Sequence, residues 1–133
     1  MMTLGPTLYV QDSRGAVAFY CEAFRMTIGY HAFHPDGTYL HAELERGGCT
    51  IFAVSESSDA AIRTAMIAAR QPTMSFGINL DNDEELAHAY EALAREGHVI
   101  RPLGPVPWSP ASADVVDKYG VCWYVYASQH RPD

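Results

Sequence analysis

Between Met74 and Tyr126 the apolar residues change period in a definite order. Two-residue alternation gives way to a helical stripe with an acidic start, and then to strand patterns interrupted by a Pro-rich stretch. Thr7 to Val54 runs through a shorter version of the same order. A recurring succession of elements marks one supersecondary unit used twice, so the chain reads as β-α-β-β-β, a linker, and β-α-β-β-β. The halves share few residues. It is the order of element types that relates them.

In the first half, Leu8 and Val10 alternate with Thr7, Tyr9 and Gln11 in a short strand. Asp12-Ser13 starts a helix on which Ala16, Phe19, Tyr20, Ala23 and Phe24 share one side, as in a helix covering a sheet. Thr27 to Phe33 is extended, and Pro35-Asp36-Gly37 reverses it. From Tyr39 to Glu45, the alternation predicts an apolar face of Leu40, Ala42 and Leu44 against a polar face that includes His41 and Glu43. Gly47-Gly48 then turns the chain into the apolar strand Cys49 to Val54. The linker, Ser55 to Thr73, holds an Ala-rich helical run from Ala60 to Arg70, capped by Ser57-Ser58-Asp59 and ended by Pro72.

In the second half, Phe76, Ile78 and Leu80 alternate with Ser75, Gly77 and Asn79. Asn82 is the predicted N-cap, with Glu85 at the third helical position and acidic residues at the positive end of the helix. Leu86, Tyr90 and Leu93 continue the stripe to Gly97, the predicted stop. His98 to Leu103 is a strand. Gly104 to Pro110 contains Pro105, Pro107 and Pro110, which lack backbone donors, so a long turn or pocket edge is predicted there before the strand Ser112 to Val116. Cys122 to Tyr126 is the last strand, and Ser128 to Asp133 a frayed tail.

Nine Lys and Arg against sixteen Asp and Glu give a formal net charge of −7, with no basic cluster. Such a chain lacks the cations that neutralise nucleic-acid phosphates or an anionic bilayer, so no nucleic-acid and no membrane partner is expected. No apolar stretch approaches the ~20 residues that span a bilayer. The start of the chain has no secretory pattern, so a cytoplasmic location is expected. Cys21, Cys49 and Cys122 are widely spaced, outside paired metal-ligand motifs, and read as small buried apolar groups.

Four stretches in order resemble the PhnB-like branch of the vicinal oxygen chelate superfamily, which contains glyoxalase I, extradiol dioxygenases and bleomycin-resistance proteins. They are Ala16-Val17-Ala18-Phe19-Tyr20 through Phe24, Leu40-His41-Ala42-Glu43-Leu44, Asn79-Leu80-Asp81 with the acidic helix after it, and Asp117-Lys118-Tyr119-Gly120-Val121-Cys122-Trp123. The resemblance covers roughly residues 7 to 126. It implies an α+β fold of two βαβββ modules forming a curved mixed-sheet cup, with an extra helix in the linker and assembly as a homodimer. Residues 1–133 are expected to form a single domain of this kind, with modules at about 5–56 and 73–127 and a linker at 57–72.

The resemblance also implies four metal-ligand slots. They fall on Gly5, near Ala53 with Glu56 as a marginal neighbour, on Ser75 and on Tyr124. A transition-metal site needs several carboxylate, imidazole or thiolate ligands, which Gly, Ala, Ser and Tyr do not supply. No metal and no cofactor is therefore expected. With Tyr124 on the cup face, strand parity adds Cys122, Tyr126, Thr7, Tyr9, Ser75 and Asn79, and sends Trp123 and Val125 toward a helix.

The candidate ligand-binding residues are Tyr9, His41, Ser75, Asn79, Trp108 and Tyr124; the candidate catalytic residues are His41, Glu43 and Tyr124. The tyrosines offer rings for stacking and hydroxyls for directed hydrogen bonds, though they suit a closed core or a subunit interface equally. Histidine is a side chain suited to proton transfer near neutral pH, and His41 shares a face with Glu43, which fits either proton transfer or a structural hydrogen bond. The leading expectation is metal-independent binding or sequestration of a small organic molecule in the inter-module cup. One alternative is a small-molecule enzyme with His41 as general acid or base. The other is a homodimeric structural or interaction protein with a filled cup.

Overall fold

The predicted order of elements recurs in a computed structural model, which describes residues 1–69 and 72–127. The first module contains β1 (Thr7–Val10), α1 (Ser13–Phe24), β2 (Thr27–Phe33), β3 (Tyr39–Arg46) and β4 (Cys49–Glu56). After α2 (Ala61–Ala68), the second contains β5 (Phe76–Asn79), α3 (Asp83–Ala94), β6 (His98–Val106), β7 (Ser109–Val116) and β8 (Cys122–Tyr126). The chain divides into two compact units, Met1–Ala60 and Ala61–Asp133.

Each unit builds one mixed sheet, with strand orders β1-β4-β3-β2 and β5-β8-β7-β6. In both, the first and last strands of the module pair in parallel and the other neighbours pair antiparallel. The two βαβββ modules and the linker helix are thus present, but the curved cup is not: these are two separate open sheets, neither curved round nor closed. The reason lies in the pairing. β1 finds its parallel partner in β4 and β5 finds its own in β8, so the ladders are completed inside each module and β1, β2, β5 and β6 remain as edges.

In the first unit, α1 starts where two side chains meet its free N–H groups. Asp12, at φ 61°, accepts from the Gly15 N–H at 3.1 Å. Glu56, at the end of β4, accepts from the N–H groups of Asp12 and Ser13 at 3.1 and 2.8 Å. Such caps satisfy donors that the helix itself leaves unpaired. α1 then buries Ala16, Val17, Tyr20, Ala23 and Phe24, with the Tyr20 ring edge-on to Phe52 at 5.5 Å.

The alternation predicted for β3 holds at Ala42 and Leu44, both buried, and fails at Leu40, which is 52% exposed. The β2–β3 register slips there: Ala32 is opposite His41 and Phe33 is opposite Tyr39, which leaves Leu40 unmatched. A bulge of this kind reverses side-chain parity. Tyr39 turns inward instead, stacks on Phe33 with ring centroids 4.7 Å apart, and donates its N–H to Ser13 Oγ at 2.9 Å.

In the second unit, Asn82 caps α3 by accepting from the Glu85 N–H at 2.9 Å, and Glu85 reaches back to the Asp81 N–H at 3.1 Å. Leu86, Ala89 and Leu93 are buried with Ala113, Val115, Trp123 and Val125 between helix and sheet. The predicted stop at Gly97 is displaced by one residue, since Glu96 takes the positive φ of 58°. Gly97 has another role: a Cβ there would collide with the Val116 carbonyl oxygen and lie 3.0 Å from the Leu93 oxygen.

The predicted long turn at Gly104 to Pro110 is also corrected. β6 runs through Pro102 and Pro105 to Val106, and only Pro107 and Trp108 form the turn into β7. β6 is an edge strand with several register slips, a setting in which a missing N–H leaves no ladder partner stranded. Helix α2 follows the prediction as far as Ala68. Its expected end at Arg70 and the tail from Ser128 to Asp133 lie outside the described residues.

Candidate functional site

One face of the second sheet is spent on α3. The alternate residues make the other face, and strand register sets four of them in a row: Gly77 on β5, Tyr124 on β8, Asp114 on β7 and Arg101 on β6. Here the surface hollows into a pocket of about 400 Å³ lined by those four residues together with Ser75, Val106 and Trp108. Gly77 contributes the space. A Cβ at that position would lie 3.7 Å from Tyr124 Cδ2, so any larger side chain would fill the strip beside the tyrosine ring.

The walls differ in chemistry. Trp108, on the β6–β7 turn and 47% exposed, donates its indole N–H to the Tyr124 hydroxyl at 3.1 Å. Tyr124 in turn stacks on Tyr126, with centroids 5.0 Å apart and planes inclined by 26°. Beside Tyr124 on the neighbouring strands, Arg101 Nε donates to Asp114 Oδ2 at 2.8 Å, while its Nη1 and Nη2 donate to the Ser112 carbonyl at 3.2 Å and hydroxyl at 2.7 Å. Both members of the ion pair are about 30% exposed, so the pair is held in place yet open to solvent.

A second hollow of about 380 Å³ shares Ser75 and Asp114 and extends to Met74, Ile100 and Cys122. Burial pushes the Cys122 thiol up to about 11, and the carboxylates of Asp114 and Asp117 push the same way. A thiol kept protonated at neutral pH is a poor nucleophile. The preceding turn is built around Asp117, which accepts from the Tyr119 and Val121 N–H groups and, at 2.7 Å, from the indole of Trp123.

Of the residues singled out in the sequence, Ser75, Trp108 and Tyr124 come together in this pocket. Asn79 lies at the end of β5, opposite Tyr126, and is not among the lining residues. Tyr9 and His41 belong to the first unit: Tyr9 is 67% exposed on β1, and His41 Nε2 is 2.9 Å from Glu43 Oε2 on β3. Arg101 and Asp114 were not legible as site residues. Alternation in Ser112 to Val116 does put Asp114 opposite Ala113 and Val115, but the Arg101 partnership depends on a slipped β6–β7 register.

The metal-ligand slots implied by the resemblance do not fit a metal ion. Gly5 and Ala53 have no donor side chain, and Glu56, their one acidic neighbour, is engaged at the start of α1. The Tyr124 hydroxyl is hydrogen-bonded to Trp108. Among the described residues, no three His, Cys, Asp or Glu side chains are grouped so as to hold a metal. No described helix is long and apolar enough to cross a membrane.

Comparison with curated proteins gives no match. Among solved structures, the PhnB protein from Bacillus cereus is similar to this chain at 23% identity and a TM-score of 0.74, with 96% of this chain and 100% of that one covered. Protein PA1353 from Pseudomonas aeruginosa is 24% identical, with a TM-score of 0.71 and coverage of 99% and 100%. A mutant of the fosfomycin resistance protein FosX from Listeria monocytogenes, complexed with Mn(II) and 1S,2S-dihydroxypropylphosphonic acid, is 18% identical, with a TM-score of 0.62 and coverage of 96% and 94%. These likenesses concern the fold. A family profile matches residues 3–124, nearly the whole chain, and the chain therefore belongs to the Glyoxalase/Bleomycin resistance protein/Dioxygenase superfamily.

Proposed function

We propose that this protein binds and sequesters a small organic molecule on the open face of its second sheet, without a metal ion. The observation that carries this reading is the pocket of about 400 Å³ whose lining joins the Trp108 and Tyr124 rings to the Arg101–Asp114 pair. Its volume lies in the range of roughly 300–1,000 Å³ usual for ligand sites, and rings with a few placed polar groups are the usual lining. FosX is complexed with Mn(II), whereas the slots that the resemblance implies in this chain offer too few donors for such an ion, and among the described residues no three His, Cys, Asp or Glu side chains are grouped to hold one. The superfamily resemblance adds assembly as a homodimer, for which sedimentation should give twice the chain mass of 14.7 kDa.

The test uses the fluorescence of Trp108, which is exposed, against a background from Trp123, which is buried. Aromatic ligands should quench the emission of the wild-type protein, raise its melting temperature by mass action, and do so equally after dialysis against EDTA. Trp108→Ala should abolish the quenching and most of the stabilisation. Stabilisation unchanged in that variant would move the site elsewhere, and stabilisation that requires a divalent metal would end the metal-free reading.

A second reading is favoured by the His41–Glu43 contact of 2.9 Å, which joins a proton carrier to a carboxylate that orients it. It makes the protein an enzyme with His41 as general acid or base. Turnover lost in His41→Ala, with the pocket's ligand still bound, would replace sequestration by catalysis.

A further inference from the structure

From the arrangement of Arg101, Asp114 and the neighbouring rings, we infer the chemical class of the ligand: a neutral planar ring system whose edge carries an N–H beside a C=O, as in a lactam. This inference rests on the binding reading above and sharpens it. Its starting point is charge. Arg101 and Asp114 line the same pocket, 2.8 Å apart, and cancel one another. An anion set against Arg101 would meet the Asp114 carboxylate, and a cation set against Asp114 would meet the guanidinium. Like-charge juxtaposition of this kind discriminates against the wrong partner.

What the pair retains is hydrogen-bonding capacity of both kinds. A guanidinium has five N–H donors, of which three are used, on Asp114 Oδ2 and on the carbonyl and hydroxyl oxygens of Ser112. Two remain for a carbonyl oxygen of the ligand. Asp114 accepts from Arg101 through Oδ2 alone, so Oδ1 remains for a ligand N–H. A group with donor and acceptor side by side satisfies both without adding charge.

The aromatic part of the lining sets the shape. Trp108 and Tyr124 present rings joined by the indole-to-hydroxyl hydrogen bond at 3.1 Å, in which Tyr124 is the acceptor and keeps its own proton to donate. The strip beside Tyr124 is open because residue 77 is glycine. A flat ring system suits such a lining, stacking on the rings and bonding through its edge to the polar pair beside them. A branched aliphatic ligand would leave the ring faces wet.

The experiment compares three probes that share a bicyclic ring and differ in charge: quinolin-2-one, the quinoline-2-carboxylate anion and the quinoline-2-carboxamidine cation. Binding to the full chain is followed by calorimetry and by Trp108 fluorescence. The wild type should prefer quinolin-2-one by about tenfold over either ion, the factor corresponding to roughly one unbalanced hydrogen bond or charge. Asp114→Asn should turn the preference toward the carboxylate, and Arg101→Gln toward the amidine. Reversals in opposite directions are not produced by mere loss of structure.

If either ion binds the wild type as tightly as quinolin-2-one, and Trp108→Ala removes that binding, the ligand class is wrong while the pocket stands. If none of the three binds while other aromatic ligands still quench Trp108, the class falls and the binding reading stands; if no aromatic ligand quenches it, both fall. The wild-type ranking decides the matter even where a variant does not fold.

Discussion

Asp117 is fully buried and holds three donors at once, two from its own turn and the indole N–H of Trp123. Removing it strands all three. Asp117→Ala should therefore lower stability by about 3 kcal/mol or more, read by denaturant unfolding, since each buried unsatisfied polar group costs roughly 1–3 kcal/mol. Asp117→Asn keeps one acceptor oxygen and should cost less; equal losses in the two variants would contradict this account. Five residues on, Cys122 gives a pH signature. With the folded pKa raised to about 11, the unfolded chain gives up this proton first, so the contribution to stability is whole below the ordinary thiol range near 8.5 and is lost as pH rises toward 11. In a variant with Cys21 and Cys49 replaced by serine, alkylation of Cys122 should keep accelerating up to about pH 11; a plateau by pH 9 would remove the assigned burial and charge effects. The Asp117 motif was legible in the sequence as a motif. Its hydrogen bonds were not, because they depend on where the Trp123 ring lies.

Among the elements, the start of α3 was legible and its end was not. Asn82 and Glu85 act through neighbours three and four residues away, which a linear pattern records. Gly97 acts through β7, nineteen residues on, and a pattern along one segment says nothing of what packs against it. Gly97→Ala should destabilise the protein by about 2 kcal/mol, as overpacking against fixed backbone does; a loss no larger than an ordinary surface substitution would show that β7 can yield. β6 teaches the same lesson. Its prolines argued against a strand, and they do exclude a central one, but whether a strand is central is a property of the sheet. At the pocket, Gly77→Val should abolish ligand-induced stabilisation while leaving the unliganded melting temperature within a few degrees, because β5 is itself an edge and the valine would point into the hollow.

For the whole molecule, the donor set predicts indifference to chelators. Dialysis against EDTA should leave the melting temperature unchanged, and a fall restored by Mn(II) or Zn(II) would reveal a metal that contributes folding energy. The doubled βαβββ order, the identity of nearly every element and the buried faces of α1 and α3 all followed from the sequence alone. Each depends on the period with which apolar side chains recur along a few turns or a few pleats, and that period is local. Strand partners, the bulge at Leu40, the openness of the two sheets and the meeting of Arg101 with Asp114 were decided only in three dimensions. A period-two pattern tells which residues share a face but is blind to which strand lies alongside and in what register, because those choices are made by hydrogen bonds between segments far apart in the chain.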